Sequence, residues 1–268
     1  MDCLGRLFEI SRNRNKSKSF LSFFYMPTQT LFAQFLNLHF GAFTTSMLRA
    51  LHVQPKYPQA PITDAFAMEL LIFVALLVYF VVVRVTLSVE RPGNVQHLAE
   101  MTNEFISEQS ENIIGPHSER FASYLTVLGL FILIGNLMGL VPGLQSPTAS
   151  VVVPLAFALC TFVYYHYHGV RANGFGYIKQ FLGPLWWLYP LMLPIEIISH
   201  FARILSLTVR LYANMFAGDL VVLAFFSLVP LGIPLIFLGL HFGVAIIQAY
   251  VFLLLAMIYL SMAVAHEH

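Results

Sequence analysis

The chain has 268 residues, 58% of them hydrophobic and only 10% charged. A soluble domain is about 45–50% apolar and about 25% charged, and a core of this size cannot hide so much excess oil, so the chain reads as an all-α polytopic membrane protein. A net charge of +1, with no basic patch interleaved with aromatics, points away from a nucleic-acid partner.

Charge is spread unevenly. Of 14 basic and 13 acidic residues, only seven lie beyond position 120, so the second half is the membrane machine and the first half carries most of the solvated surface. Residues 1–63 read as an N-terminal extension, interfacial or extracytoplasmic. Residues 1–18 are polar and basic, and residues 19–53 are rich in Phe and Leu but interrupted by Pro27, Asn37 and His39. The basic segment before FLSFF has the order of a signal peptide, yet the apolar run is short and no small-residue cleavage site follows. An interfacial amphipathic segment fits better. The Pro-rich loop Gln54 to Thr63 marks the boundary.

A membrane domain occupies residues 64–268, with five membrane helices expected. The first, 66–87, is long enough for a hydrocarbon core of about 30 Å at about 1.5 Å per residue, and Arg84, Glu90 and Arg91 close it. Residues 92–120 place Val95, Leu98, Met101, Phe105 and Ile106 at helical spacing among acids, an amphipathic helix lying at the surface. Spans at 121–141 and 148–167 are joined by a loop so short that they form an antiparallel hairpin, with Thr148 and Ser150 as expected caps of the later one. The aromatic run Tyr164 to His168 reads as an interfacial belt. The stretch 185–226 is too long for one perpendicular span and must tilt or break. Pro230, Gly232 and Pro234 make a turn, and 236–264 returns. Arg84 and Arg91 after the first span, with Arg171 and Lys179 after the third, place those loops in the cytoplasm by the positive-inside rule. The N terminus is then outside and the C terminus cytoplasmic.

The long helix carries an energetic anomaly. Charge at membrane depth costs from about 2.5 to above 10 kcal/mol, depending on the reference. Yet Glu196, Ser199, Arg203, Ser206, Arg210 and Asn214 recur every three or four residues, one polar stripe on an α-helix, with Asp219 beyond it. Arg203 has Glu196 seven residues earlier as a candidate partner, or snorkels to the cytoplasmic surface. Arg210 has no acid within one turn of its own helix and cannot be deprotonated, so it must face water or a carboxylate from another chain. That suits an electrostatic gate. The last helix has its own polar set, His241, Gln248 and Tyr259; antiparallel packing would bring His241 to Asp219 and Gln248 to the Arg210–Asn214 region. Such pairs serve as helix–helix glue or pass protons. Asn136, inside the second span, reads as a packing residue.

No phosphate-binding loop, Ser/His/Asp arrangement or Cys/His cluster appears, and Cys3 and Cys160 offer neither a disulfide framework nor a metal site. No cofactor is expected.

The run SLTVRLYANMFAGDL, with PIEIISH upstream, resembles the signature of the membrane subunit a of the bacterial F-type ATP synthase. HFGVAIIQAYVFLLLAMIYLSMA, NLMGLVPG and SVERPGNVQH are similar to the same family, and the resemblance covers roughly 64–268. It implies a proton-translocating subunit of the bacterial inner membrane that is not catalytic alone. Its partners would be the c-subunit ring, the b-subunit stalk, the remainder of the synthase and the lipid bilayer. It implies that the last two helices form a tilted hairpin against the c-ring, with Arg210 facing the ring and Asn214 and Gln248 as its polar neighbours. Asp219 and His241 would belong to an outer aqueous half-channel, and Glu196 and Ser199 to a cytoplasmic one. Asp219 stands where many members have the longer Glu. The rival reading, a secondary transporter with a midplane polar site, calls for inverted repeats, and no second half resembling the first is visible.

Overall fold

The computed structural model describes residues 29–50, 60–88, 93–116, 118–141, 144–174, 176–177, 189–228 and 232–264. The Arg12–Lys18 cluster, Glu90, Arg91, Pro142, Gly143, Lys179, Pro230 and the terminal AHEH lie outside these residues. Among the described residues the chain is entirely helical: α1 (Leu31–Ala50), α2 (Asp64–Val85), α3 (Asn94–Ile114), α4 (Glu119–Met138), a 3-10 turn at Pro147–Ala149, α5 (Val152–Asn173), α6 (Tyr189–Leu228) and α7 (Ile233–Val264). It forms two compact units, one ending at Asp64 and one beginning at Ala65.

In the first unit, α1 is tied to the segment ahead of α2. The Thr30 amide and hydroxyl both donate to Oδ1 of Asp64 at 2.9 Å. Asn37 donates to the Ile62 carbonyl and accepts from the Ile62 amide, each at 3.0 Å. The helix leaves Leu31, Phe35, Leu38, Phe40, Phe43 and Met47 exposed.

In the second unit, α2, α4, α6 and α7 are each long and apolar enough to cross a membrane. The expected third span, 148–167, starts later and runs on: the 3-10 turn takes Pro147–Ala149 and α5 continues to Asn173. Helix α5 is not among the four, because His166, His168 and Arg171 crowd its last turns. The stretch expected to tilt or break is one uninterrupted helix of 40 residues. Pro194 is accommodated within its first two turns, where few intrahelical bonds exist to be lost. At about 1.5 Å per residue α6 is about 60 Å long, twice the hydrocarbon thickness and far more than one perpendicular span needs.

The core gathers Leu125, Leu128 and Ile132 of α4, Leu207, Leu211 and Met215 of α6, and Phe252, Met257 and Leu260 of α7. Ala245, Ala249 and Ala256 are buried on α7; small side chains let membrane helices approach closely where lipid gives no hydrophobic drive. The pairs Arg203 with Tyr259, Asn214 with Gln248, and Asp219 with His241 run in opposite directions along the two chains, so α6 and α7 pack antiparallel. Helices α4 and α5 meet through bulky side chains: Tyr124 stacks on Tyr164 at 3.9 Å and shares a 3.0 Å hydrogen bond with Thr161, and Phe131 lies against Phe157.

Two local expectations are corrected here. Thr148 caps nothing: its hydroxyl donates to Oδ1 of Asn136 at 2.7 Å and sits 2.7 Å from Ser146 Oγ, while α5 starts after Val151 without a side-chain cap. Helix α3 forms where an amphipathic helix was expected; it packs on the bundle through Ile106 and leaves Val95, Leu98, Met101 and Phe105 exposed. Tyr164 to His168 does not form one outward belt, since consecutive helical residues point apart by about 100°: Tyr165 is buried and Tyr167 exposed.

Asn136 ties three elements together. It is fully buried, accepts from Thr148 and donates Nδ2 to the Ala245 carbonyl of α7 at 3.1 Å. Asn136→Leu should cost about 1–3 kcal/mol by leaving buried partners unsatisfied. Heat inactivation of the solubilised complex should therefore come at lower temperature; an unchanged profile would show the network to be energetically idle.

Candidate functional site

Helix α6 presents three polar stations. Their spacing follows from helix geometry: Glu196 and Asp219 are about 35 Å apart along the axis, more than the hydrocarbon thickness, with Arg210 between them. Nine residues separate Arg210 from Asp219, about 180° of rotation, so the two project from opposite sides of α6.

At the middle station Arg210 is exposed, its Nη2 donating a long 3.4 Å bond to Ser206 Oγ. Among the described residues no carboxylate lies within ion-pair distance of it. One turn on, Asn214 Nδ2 donates to Oε1 of Gln248 at 2.7 Å, and the buried Gln248 keeps an unpartnered Nε2. A guanidinium, an amide pair and exposed apolar neighbours such as Leu205 and Val209 form a cationic spot in a greasy wall.

At the second station His241 Nε2 lies 3.6 Å from Asp219 Oδ1, at ion-pair distance. His241 is buried, and neither ring nitrogen has a hydrogen-bond partner in the described structure. The ring fits there because Gly218 has no side chain: a Cβ at that position would overlap His241 at Nδ1 and Cε1. Gly139 at the end of α4 is equally constrained, since a Cβ there would stand 2.9 Å from Ser146 Cβ and 3.3 Å from Asp219 Oδ1. Beside the pair opens a cavity of about 760 Å³ lined by Leu144, Ser146, Phe216, Leu223, Leu238 and others. The buried imidazole and the half-buried carboxylate thus sit as a pair at the edge of this cavity.

The third station differs from expectation. Glu196 pairs with His200, one turn along, at 3.3 Å. Arg203 does not reach Glu196; its guanidinium lies 5.3 Å above the Tyr259 ring of α7. Seven residues of helix rise about 10 Å, and the aromatic face is nearer. Ser199 is half-buried beside this group. His200 Nδ1 is hydrogen-bonded to the Tyr165 hydroxyl at 3.1 Å. His166, also on α5, bonds through Nδ1 to the hydroxyl of Tyr177 at 2.8 Å. Burial pushes the Tyr177 hydroxyl up from its ordinary value, so it stays a neutral donor. Tyr165, His166, Tyr177 and the role of His200 were not legible as site residues. The Glu196–His200 spacing of four was the one available signal.

Among the described residues no group of His, Cys, Asp and Glu could hold a metal ion.

Residues 66–261 match the family model described as ATP synthase A chain. The chain is 53% identical over 244 residues to "ATP synthase subunit a" of Koribacter versatilis, covering 91% of this chain and all of that protein. It is 45% identical over 213 residues to "ATP synthase subunit a" of Solibacter usitatus, covering 79% and 91%. "ATP synthase subunit a 1" of Syntrophotalea carbinolica matches at 44% over 179 residues, covering 67% and 76%. The chain therefore belongs to the ATP synthase A chain family, whose members are non-catalytic membrane-sector components of the rotary complex.

Proposed function

We propose that this chain translocates protons through the membrane sector of an F-type ATP synthase, by two offset half-channels and an arginine gate at Arg210. The exposed, acid-free guanidinium on α6 carries this reading. The α6–α7 hairpin lies tilted against a ring of c subunits, and the b-subunit stalk holds the chain to the rest of the complex. Helix α5 serves as the third of five spans, completing a multi-pass protein of the bacterial inner membrane. The first unit lies at the interface or outside, and the C terminus is cytoplasmic. That orientation puts Asp219 outside and Glu196 inside.

Each ring subunit brings a carboxyl group that must be neutral in lipid. Opposite Arg210 it is stable as an anion, because the fixed cation favours the ionised form. A proton arriving through the large cavity past Asp219 and His241 neutralises the next carboxylate, which is then free to move into lipid. After nearly a full turn the carboxyl meets the Glu196 side and releases its proton. Asn214 and Gln248 keep the surface polar next to Arg210, and the guanidinium's charge repels a proton taking the direct route between half-channels. Each proton delivers about 2.3 kcal/mol per 100 mV, so several per turn are needed for one ATP.

Cysteines placed at 209 and 213, flanking Arg210 on its turn, should cross-link to a helix of the c ring in membranes of the assembled complex. Cross-links only to lipid-facing reagents, and none to the ring, would remove the gate from the ring interface. A midplane-site transporter would further bind a soluble substrate without any ring.

A further inference from the structure

The polar cluster at the Glu196 end holds more titratable groups than a single release site requires. Around His200 stand Glu196 and Arg203 on its own helix, Tyr165 and His166 on α5, Tyr177 just beyond α5, and Tyr259 on α7. Their contacts are ordered. Glu196 Oε1 is 3.3 Å from His200 Nε2, His200 Nδ1 is 3.1 Å from the Tyr165 hydroxyl, and Tyr177 bonds Nδ1 of His166 at 2.8 Å. The rings of His166 and His200 are close, with centroids 4.9 Å apart, but edge to face, so they do not bond one another directly.

Between the two bonded pairs lies a small cavity of about 40 Å³, bordered by Tyr165, Tyr177, Glu196, His200 and Arg203. A buried water needs roughly 10–15 Å³ of such space and two to four polar partners. The cavity offers both.

We propose that His200, Tyr165, Tyr177 and His166 form a proton relay that carries protons from Glu196 to the surface at the C-terminal end of α5. The inference rests on the function proposed above, and it gives the release side a defined route through this chain in place of direct escape from Glu196. The steps balance as proton hops alone. Protonated Glu196 gives its proton to Nε2 of His200. Nδ1 passes its own proton to the Tyr165 hydroxyl, which hands one to a water in the cavity. That water protonates the Tyr177 oxygen as the Tyr177 hydroxyl proton moves to Nδ1 of His166. The partly exposed His166 then releases a proton to solvent. No heavy-atom bond forms or breaks, and the chain resets once the two hydroxyls rotate and the imidazoles of His200 and His166, each left in the opposite tautomer, exchange it. Gly169 helps hold the geometry, since a Cβ there would stand 2.6 Å from the Tyr177 ring.

The test is passive proton conductance of membrane vesicles carrying the complex with its soluble head stripped away, with subunit content checked by immunoblot. His200→Gln keeps a polar side chain of similar reach but cannot be protonated, and Tyr177→Phe removes one hydroxyl at constant ring volume. Each should lower conductance at least about tenfold at neutral pH, less than the roughly hundredfold or more of a positioned proton-transfer group in chemistry because water can bridge part of the gap. Because the groups act in series, the double variant should be no slower than the slower single one. In His200→Ala, added imidazole buffer should restore flux, a response that a purely structural histidine would not give. Cys160→Ser, on the exposed surface of α5, should behave as wild type. If His200→Gln assembles poorly, Tyr177→Phe decides alone. Wild-type flux in Tyr177→Phe, or multiplicative losses in the double variant, overturns the relay. If those variants conduct normally while Arg210→Ala is inactive, only the relay falls; normal pumping by Arg210→Ala removes the translocation reading beneath it.

Discussion

Arg210→Ala should abolish ATP-driven proton pumping while the complex still assembles. The two halves of that outcome have separate causes. Assembly survives because Arg210 is exposed and its single bond, 3.4 Å to Ser206, is long. The packing of α6 on α7 depends on Leu207, Leu211 and Met215, which the substitution leaves alone. On the proposed function pumping fails because, among the described residues, no other cation lies at this depth to take its place opposite the ring. A unit charge pair at about 4 Å and an effective dielectric near 20 is worth about 4 kcal/mol, and at about 1.4 kcal/mol per decade its loss makes the anionic ring carboxylate roughly a thousandfold rarer at the gate. Arg210→Lys keeps the charge but not the planar fork and should recover only part of the activity. Quenching of a pH-sensitive dye in inverted vesicles measures the effect. Pumping at the wild-type rate by assembled Arg210→Ala complex would falsify the gate.

The second large effect is expected at a residue with no chemistry of its own. Gly218→Val should block proton uptake nearly as completely as loss of His241. Within a helix, replacing glycine ordinarily improves stability by relieving up to about 1 kcal/mol of propensity cost. Here the sign reverses. Any Cβ at 218 overlaps the His241 ring, which can yield only by moving away from α6 towards the neighbouring cavity. Overpacking of this kind costs about 1–3 kcal/mol, and the ring must leave its position 3.6 Å from Asp219. Gly218→Ala should show the same defect more weakly. Passive conductance and thermal inactivation should both fall, in the order wild type, Ala, Val. A Gly218→Ala complex that is more heat-stable and fully conductive would mean that the ring sits elsewhere.

Much of the architecture was legible because membrane helices announce themselves by length and composition. Four apolar runs coincide with α2, α4, α6 and α7 to within a few residues. The polar stripe on α6 could be drawn from its spacing of three and four, and the antiparallel return through Gly232 and Pro234 suggested that Asp219 would meet His241 and Asn214 would meet Gln248. Both pairs are present. Ends were read less well: Thr148 looked like a cap and is a partner of Asn136, and the start of α5 carries no side-chain cap at all.

By itself the sequence determined which side chains share a face of each helix, since a periodicity of 3.6 residues fixes directions around one axis. It therefore placed Arg210, Asn214 and Glu196 on α6 and showed that Arg210 has no acid within one turn of its own helix. Only the tertiary structure decided which faces meet and at what distance. It sent Arg203 to Tyr259, gave Glu196 to His200, turned Tyr165 and His166 inward to join them, and wedged His241 against Gly218. Those choices depend on crossing angles and helix depth, which arise from the packing of all the helices together and leave no periodic trace in any one of them.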